Sequence, residues 1–183
     1  MSFINALTNT LAIEGGYAND PNDTGGETYR GISRVHHPKW PGWKIIDACK
    51  HSGIPLASRE LLTSMVNVFY HDEFWLKAGC NIVDAMSEPV AEELFEASVN
   101  CGRGNGVKFL QRALNMLNVN ATLYPDIEVD GVLGHRETIP ALRACLRARV
   151  AERLIVRCQN GEQYIYYRSL PQSELYRGWY ART

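Results

Sequence analysis

Glu14, followed at once by Gly15 and Gly16, is the acidic residue of this sequence best placed to do chemistry. Ser2 can cap a helix on which Phe3, Ile4, Leu7 and Leu11 form one apolar stripe, and the glycine pair supplies its stop. Glu14 is therefore expected at the C-terminal end of that helix. Unpaired carbonyls there make the local potential negative, which disfavours a carboxylate and raises its pKa. Ile13 and Tyr17 can desolvate it further. A carboxyl that keeps its proton near neutral pH can give it to a leaving oxygen, as the breaking of a glycosidic bond requires. Without that chemistry, the same residue is an exposed glutamate at a helix end.

A proton donor of this kind needs a partner that holds a water or attacks the sugar itself. Asp20, Asp23 and Glu27 all lie within reach of a folded hairpin after Glu14. Asp20 precedes Pro21, which suits a turn residue as well as a catalytic one. Gly25, Gly26 and Gly31 suit positive φ or the close approach of a substrate. Arg30 is either a ligand contact or a solvated side chain.

The elements that must position these residues follow from pattern. Residues 17 to 34, dense in Asn, Asp, Pro, Gly and Thr, predict a loop-rich lobe with a short hairpin. In His37-Pro-Lys-Trp-Pro-Gly-Trp43 the two tryptophans either line a groove or pack. Leu61, Leu62, Met65, Val68, Phe69 and Leu76 mark a helical face between Ser58 and Gly79, and Pro89 suits the first turn of a helix running to Asn100. Val107, Leu110, Leu114 and Leu117 mark the next helix, and Asp130-Gly-Val-Leu-Gly134 a turn. Ala141 to Arg157 reads as one arginine-rich helix that Gly161 can close. The expected fold class is mainly α (α+β), with a small β-hairpin and loop lobe and a C-terminal helical lobe.

Composition excludes several classes. The 183 residues, 45% hydrophobic, allow one substantial core, and no apolar run reaches the ~20 residues of a membrane span. The start Met-Ser-Phe-Ile-Asn-Ala-Leu has no secretory pattern. Five scattered cysteines and five histidines show no metal-ligand spacing, so buried thiols, no metal and no cofactor are expected. A net charge of -1 argues against nucleic acid as a partner, but it hides an asymmetry. Residues 1–102 carry seven Lys/Arg against thirteen Asp/Glu, and residues 103–183 twelve against seven. The basic part, with Arg136, Arg143, Arg147, Arg149, Arg153 and Arg157, is either a solvated face or an attraction to an anionic surface.

The run Glu14-Gly-Gly-Tyr-Ala-Asn-Asp-Pro-Asn-Asp23-Thr-Gly-Gly-Glu-Thr28-Tyr-Arg-Gly-Ile32 resembles the signature of glycoside hydrolase family 108, bacterial and phage N-acetylmuramidases with a lysozyme-like fold. Phe95-Glu-Ala-Ser-Val-Asn-Cys-Gly102 and Phe109-Leu-Gln-Arg-Ala-Leu114 resemble its next stretch, and Tyr176-Arg-Gly-Trp-Tyr-Ala-Arg182 its ending. Asp130-Gly-Val-Leu-Gly-His-Arg-Glu-Thr138 is similar to the D-G-x-x-G-x-x-T turn of small peptidoglycan-binding modules.

The resemblance implies Glu14 as catalytic acid, with Asp23 and Thr28 facing it across a cleft. Tyr17, Asp20, Gly25, Gly26, Arg30 and Asn100 are the candidate substrate contacts, with Arg30 either at a peptide-stem carboxylate or solvated. Residues 1–102 would form the catalytic region and 103–183 a peptidoglycan-binding-like region packed on it. The implied activity is cleavage of the bond between N-acetylmuramic acid and N-acetylglucosamine. The expected setting is a monomeric phage endolysin, held in the host cytoplasm until released to the wall. A lytic transglycosylase and a non-catalytic wall-binding or secretion-accessory protein are the alternatives.

Overall fold

The computed structural model describes residues 2–11, 16–19, 26–56 and 60–171. Two compact units divide between Asp72 and Glu73. Among the described residues there are eight α-helices, one π-helical segment and one three-stranded sheet, so the chain is mainly α with a small β element. No described helix is long and apolar enough to cross a membrane.

In the first unit, α1 (Ser2–Leu11) leads to β1 (Tyr17–Ala18), β2 (Thr28–Tyr29) and β3 (Ile32–Ser33), then to α2 (Gly42–Ser52) and α3 (Glu60–Tyr70). Ser2 is already helical. The buried side of α1 is Ala6, Leu7 and Thr10, while Ile4 of the expected stripe is 53% exposed. The sheet is antiparallel in the order β1-β2-β3. Arg30 and Gly31 turn the β2–β3 hairpin, both at positive φ (44° and 78°), the geometry of a two-residue hairpin turn.

Gly42 opens α2 against an indole: a Cβ there would come 2.2 Å from the Trp40 ring. Trp43 packs edge to face on Trp40 at 5.2 Å and donates Nε1–H to the His37 carbonyl at 2.8 Å. Trp43 is thus a packing residue. Trp40 and Pro41 instead border an apolar groove, opposite Leu61, Met65, Val68 and Phe69 of α3. The α3 face expected to turn inward is therefore displaced. Leu62, Val66 and Tyr70, spaced by four, are buried, whereas Leu61 and Val68 are 62% and 59% exposed.

A π-helical segment, His71–Leu76, continues α3, and the division between the units falls inside it. The second unit contains α4 (Cys80–Asp84), α5 (Glu88–Cys101), α6 (Arg103–Leu117), α7 (Thr138–Arg147) and α8 (Glu152–Ser169). Helix α5 has Pro89 in its first turn, as expected. It packs with α6 and α8 around Leu94, Phe95, Phe109, Leu110, Leu114, Ile155 and Tyr167. Cys49, Cys80, Cys101, Cys145 and Cys158 are free thiols, all buried except partly exposed Cys158.

The single helix expected over residues 141–157 is two. Arg149 takes φ 59°, and Val150 N–H reaches back to the Cys145 carbonyl at 3.1 Å, the left-handed closure that ends a helix. Gly161 closes nothing. It lies inside α8, with no atom near enough to require a glycine.

Candidate active site

The sheet register sorts the side chains around the loop lobe. Tyr17 pairs with Tyr29, and Tyr29 with Ile32; Ala18 pairs with Thr28, and Thr28 with Ser33. Directly paired residues share a face. Tyr29 and Ile32 are buried, so Tyr17 lies on the core face and Thr28 on the opposite one with Ala18 and Ser33. Thr28 Oγ1 donates to the Gly26 carbonyl at 3.2 Å, which fixes its rotamer across the start of β2. Gly26 itself is at φ 64°, and a Cβ there would come 2.9 Å from Val35 Cγ2. Gly26 and Gly31 thus take the backbone geometry expected of them.

Glu27, on the same loop, is fully engaged. Its Oε1 accepts from the Tyr17 hydroxyl at 2.9 Å and Lys50 Nζ at 3.0 Å, and its Oε2 accepts from Arg34 Nη1 at 2.8 Å. Arg34 in turn forks Asp47 with two bonds of 2.7 Å and lies over the Trp43 ring. Lys50 lies over the Tyr17 ring at 5.3 Å. Burial alone would push the Glu27 carboxyl up, but the hydrogen bonds from Arg34, Lys50 and Tyr17 outweigh it and hold the group below its ordinary value. A carboxylate kept ionised by three donors cannot serve as a proton donor at neutral pH. Its work is to tie β2 to α2.

Arg30 is similarly anchored. Its N–H donates to the Gly16 carbonyl at 2.9 Å, and its own carbonyl accepts from the Tyr70 hydroxyl at 2.8 Å. The guanidinium reaches Thr63 Oγ1 at 3.3 Å and lies over the Tyr29 ring. Asn100, in the second unit, donates its amide to the carboxylate and carbonyl of Glu96, one helical turn earlier. Glu14, Asp20, Asp23 and Gly25 lie outside the described residues. The structure therefore brings together Tyr17, Gly26, Thr28 and Arg30 in one lobe.

Sequence reasoning missed the Glu27–Arg34–Asp47–Lys50 network and did not single out Gln111. Gln111, 1% exposed, clamps the Asp130–Thr138 turn: Nε2–H reaches Asp130 Oδ1 (2.7 Å), the Val132 carbonyl and Thr138 Oγ1 (both 3.1 Å), and Oε1 accepts from Gly131 N–H at 2.9 Å. The available signal was a lone glutamine on the apolar stripe of Val107, Leu110 and Leu114.

The profile of the family described as Glycosyl hydrolase 108 matches residues 7–102, just over half of the chain. The chain belongs to the glycosyl hydrolase 108 family. A second profile, described as "Predicted Peptidoglycan domain", matches residues 105–183. This family member is accordingly a glycoside hydrolase that acts on peptidoglycan. Among solved structures it is similar to one titled "Structure of Brucella abortus SagA", at 21% identity and a TM-score of 0.67 over 98% of this chain and 88% of that one. That likeness shows the fold, which is the lysozyme-like, mainly α fold the resemblance implied. No functionally curated protein matches the chain.

Proposed function

We propose that this glycosyl hydrolase 108 member is an N-acetylmuramidase in which Glu14 protonates the glycosidic oxygen between N-acetylmuramic acid and N-acetylglucosamine. Asp23 and Thr28, on the following loop and strand, act on the far side of the sugar, where they position water or stabilise developing charge. The observation that carries this reading is the engagement of Glu27. Three donors occupy both of its oxygens, so among the carboxylates of the hairpin the task of holding water or stabilising charge falls to Asp20 or Asp23. The placement of Thr28 on the sheet face opposite buried Tyr29 and Ile32 is consistent with a residue left for substrate. In this reading residues 1–102 cleave the glycan and residues 103–183 hold the wall. The biological setting we propose is that of a phage endolysin, which waits in the host cytoplasm for access to the wall.

The bond cleaved is read from the products. Digested peptidoglycan should show new reducing ends on N-acetylmuramic acid by mass spectrometry. New reducing ends on N-acetylglucosamine would refute muramidase specificity, and anhydro-muramic products would identify a lytic transglycosylase. Monomeric mass in solution and dependence of lysis on prior membrane permeabilisation test the endolysin setting. Lysis of intact cells without permeabilisation would contradict it.

A further inference from the structure

A cavity of about 570 Å³ lies within the second unit, between the segment Tyr124–Glu128 and the start of α7. The wall formed by Tyr124–Glu128 is tied to α6. Ile127 gives its N–H to Asn115 Oδ1 and accepts from Asn115 Nδ2 at its carbonyl, both at 2.9 Å. The Tyr124 hydroxyl is fixed to the Leu114 carbonyl at 2.7 Å, and Asp126 accepts from Asn118. Glu128 donates its N–H to Glu137 Oε2 at 3.1 Å. Asp126 and Glu137 each accept one of these bonds, and both keep their negative charge in the lining.

Two further charged side chains of the lining have no such bond. Among the described residues, neither the Glu128 carboxylate nor the Arg136 guanidinium has a hydrogen-bond or ion-pair partner, and both residues line the cavity and are exposed. Pro125, Ile127, Pro140, Ala141 and Ala144 supply an apolar lining between them. An apolar hollow of this size with a few convergent polar groups is the ordinary form of a small-ligand site. The opposite charges ask for a ligand carrying an ammonium and a carboxylate, and the small apolar lining accommodates methyl side chains.

We propose that this cavity binds the stem peptide of peptidoglycan, with Glu128 taking the ammonium of its diamino residue and Arg136 forking a neighbouring carboxylate. The alanine methyls of the stem lie against Pro125, Ile127 and Pro140. The inference rests on the reading of the chain as a wall hydrolase, and on the peptidoglycan-domain match over residues 105–183. A lining of three carboxylates and one guanidinium favours a charged peptide, its ammonium above all, over a neutral sugar. Recognition of the peptide instead of the glycan would let the chain hold the wall while the sugar strand is being cut.

The test uses the full chain and a synthetic stem tripeptide, alanyl-γ-glutamyl-lysine, titrated by calorimetry or by amide chemical shifts. Glu128→Gln and Arg136→Gln alter exposed side chains, and thermal unfolding of each variant verifies that the fold is retained. Each variant should bind the tripeptide about tenfold more weakly than the wild type, with the difference shrinking at high salt. Equal affinity in wild type and both variants, no tripeptide binding, or binding of a chitin oligomer alone would overturn the proposal. Co-sedimentation with insoluble walls and release of reducing ends, measured on the same preparations, report on the wall-hydrolase reading separately. Walls bound and cut without tripeptide binding defeat only the cavity; walls neither bound nor cut defeat the reading beneath it.

Discussion

Glu27 and Glu93 are both partly buried glutamates, and their surroundings drive them in opposite directions. Around Glu27, three donors overcome the effect of burial and lower the pKa from the ordinary 4.5. The folded protein then binds fewer protons than the unfolded chain as pH falls through that value. The stabilising effect of the ion pairs is complete above about 4.5 and is lost below it. Glu27→Gln should lower stability by about 1–2 kcal/mol at pH 7 and flatten the acid limb of a plot of unfolding free energy against pH. Around Glu93 on α5, burial and the neighbouring Glu96 raise the pKa to about 8, against a lowering hydrogen bond from Asn160 of α8. Between 4.5 and about 8 the folded state holds the extra proton, so this residue makes stability decline as pH rises through the window. Glu93→Gln should remove that decline; a denaturation series from pH 5 to 9 whose slope is unchanged by the substitution would show the effect lies elsewhere.

At the level of elements, the turn Asp130–Thr138 depends on a single side chain from α6. Gln111→Leu keeps the volume and leaves Gly131 N–H and Thr138 Oγ1 without their partner, which should cost about 1–3 kcal/mol in urea denaturation. Gly42→Ala drives a methyl into the Trp40 ring and should destabilise the first unit by a comparable or larger amount. The elements the sequence announced clearly were those with local chemistry. Pro89 opens α5, and the glycine-rich stretch around Arg30 and Gly31 makes the small sheet. The break at Arg149 was illegible, because neither glycine nor proline marks it and the apolar period runs on through it. The α3 face was misplaced since Leu61, Met65 and Val68 form a second apolar stripe, which borders a groove. The network around Glu27 was hidden for a different reason: Arg34, Asp47 and Lys50 come together only after α2 folds back on the sheet.

Across the whole molecule the two halves carry opposite charge, and the basic half coincides with the peptidoglycan-domain match. Arg136, Arg143, Arg147, Arg149, Arg153 and Arg157 are all exposed, and none forms an ion pair among the described residues. Replacing Arg143, Arg147 and Arg157 with glutamine should weaken co-sedimentation with purified walls at low salt and leave it nearly unchanged at high salt, because screening shortens the reach of such charges to roughly 3 Å at 1 M. Family membership was legible from the run Glu14 to Ile32, whose residue types are too particular to arise from packing alone, and the helical architecture from the apolar periods that follow it. The most direct test is the rate at which purified walls release reducing ends under wild-type protein and Glu14→Gln. A proton donor at position 14 predicts a loss of at least about a hundredfold with wall binding retained; a Glu14→Gln protein that cuts walls at the wild-type rate would contradict it.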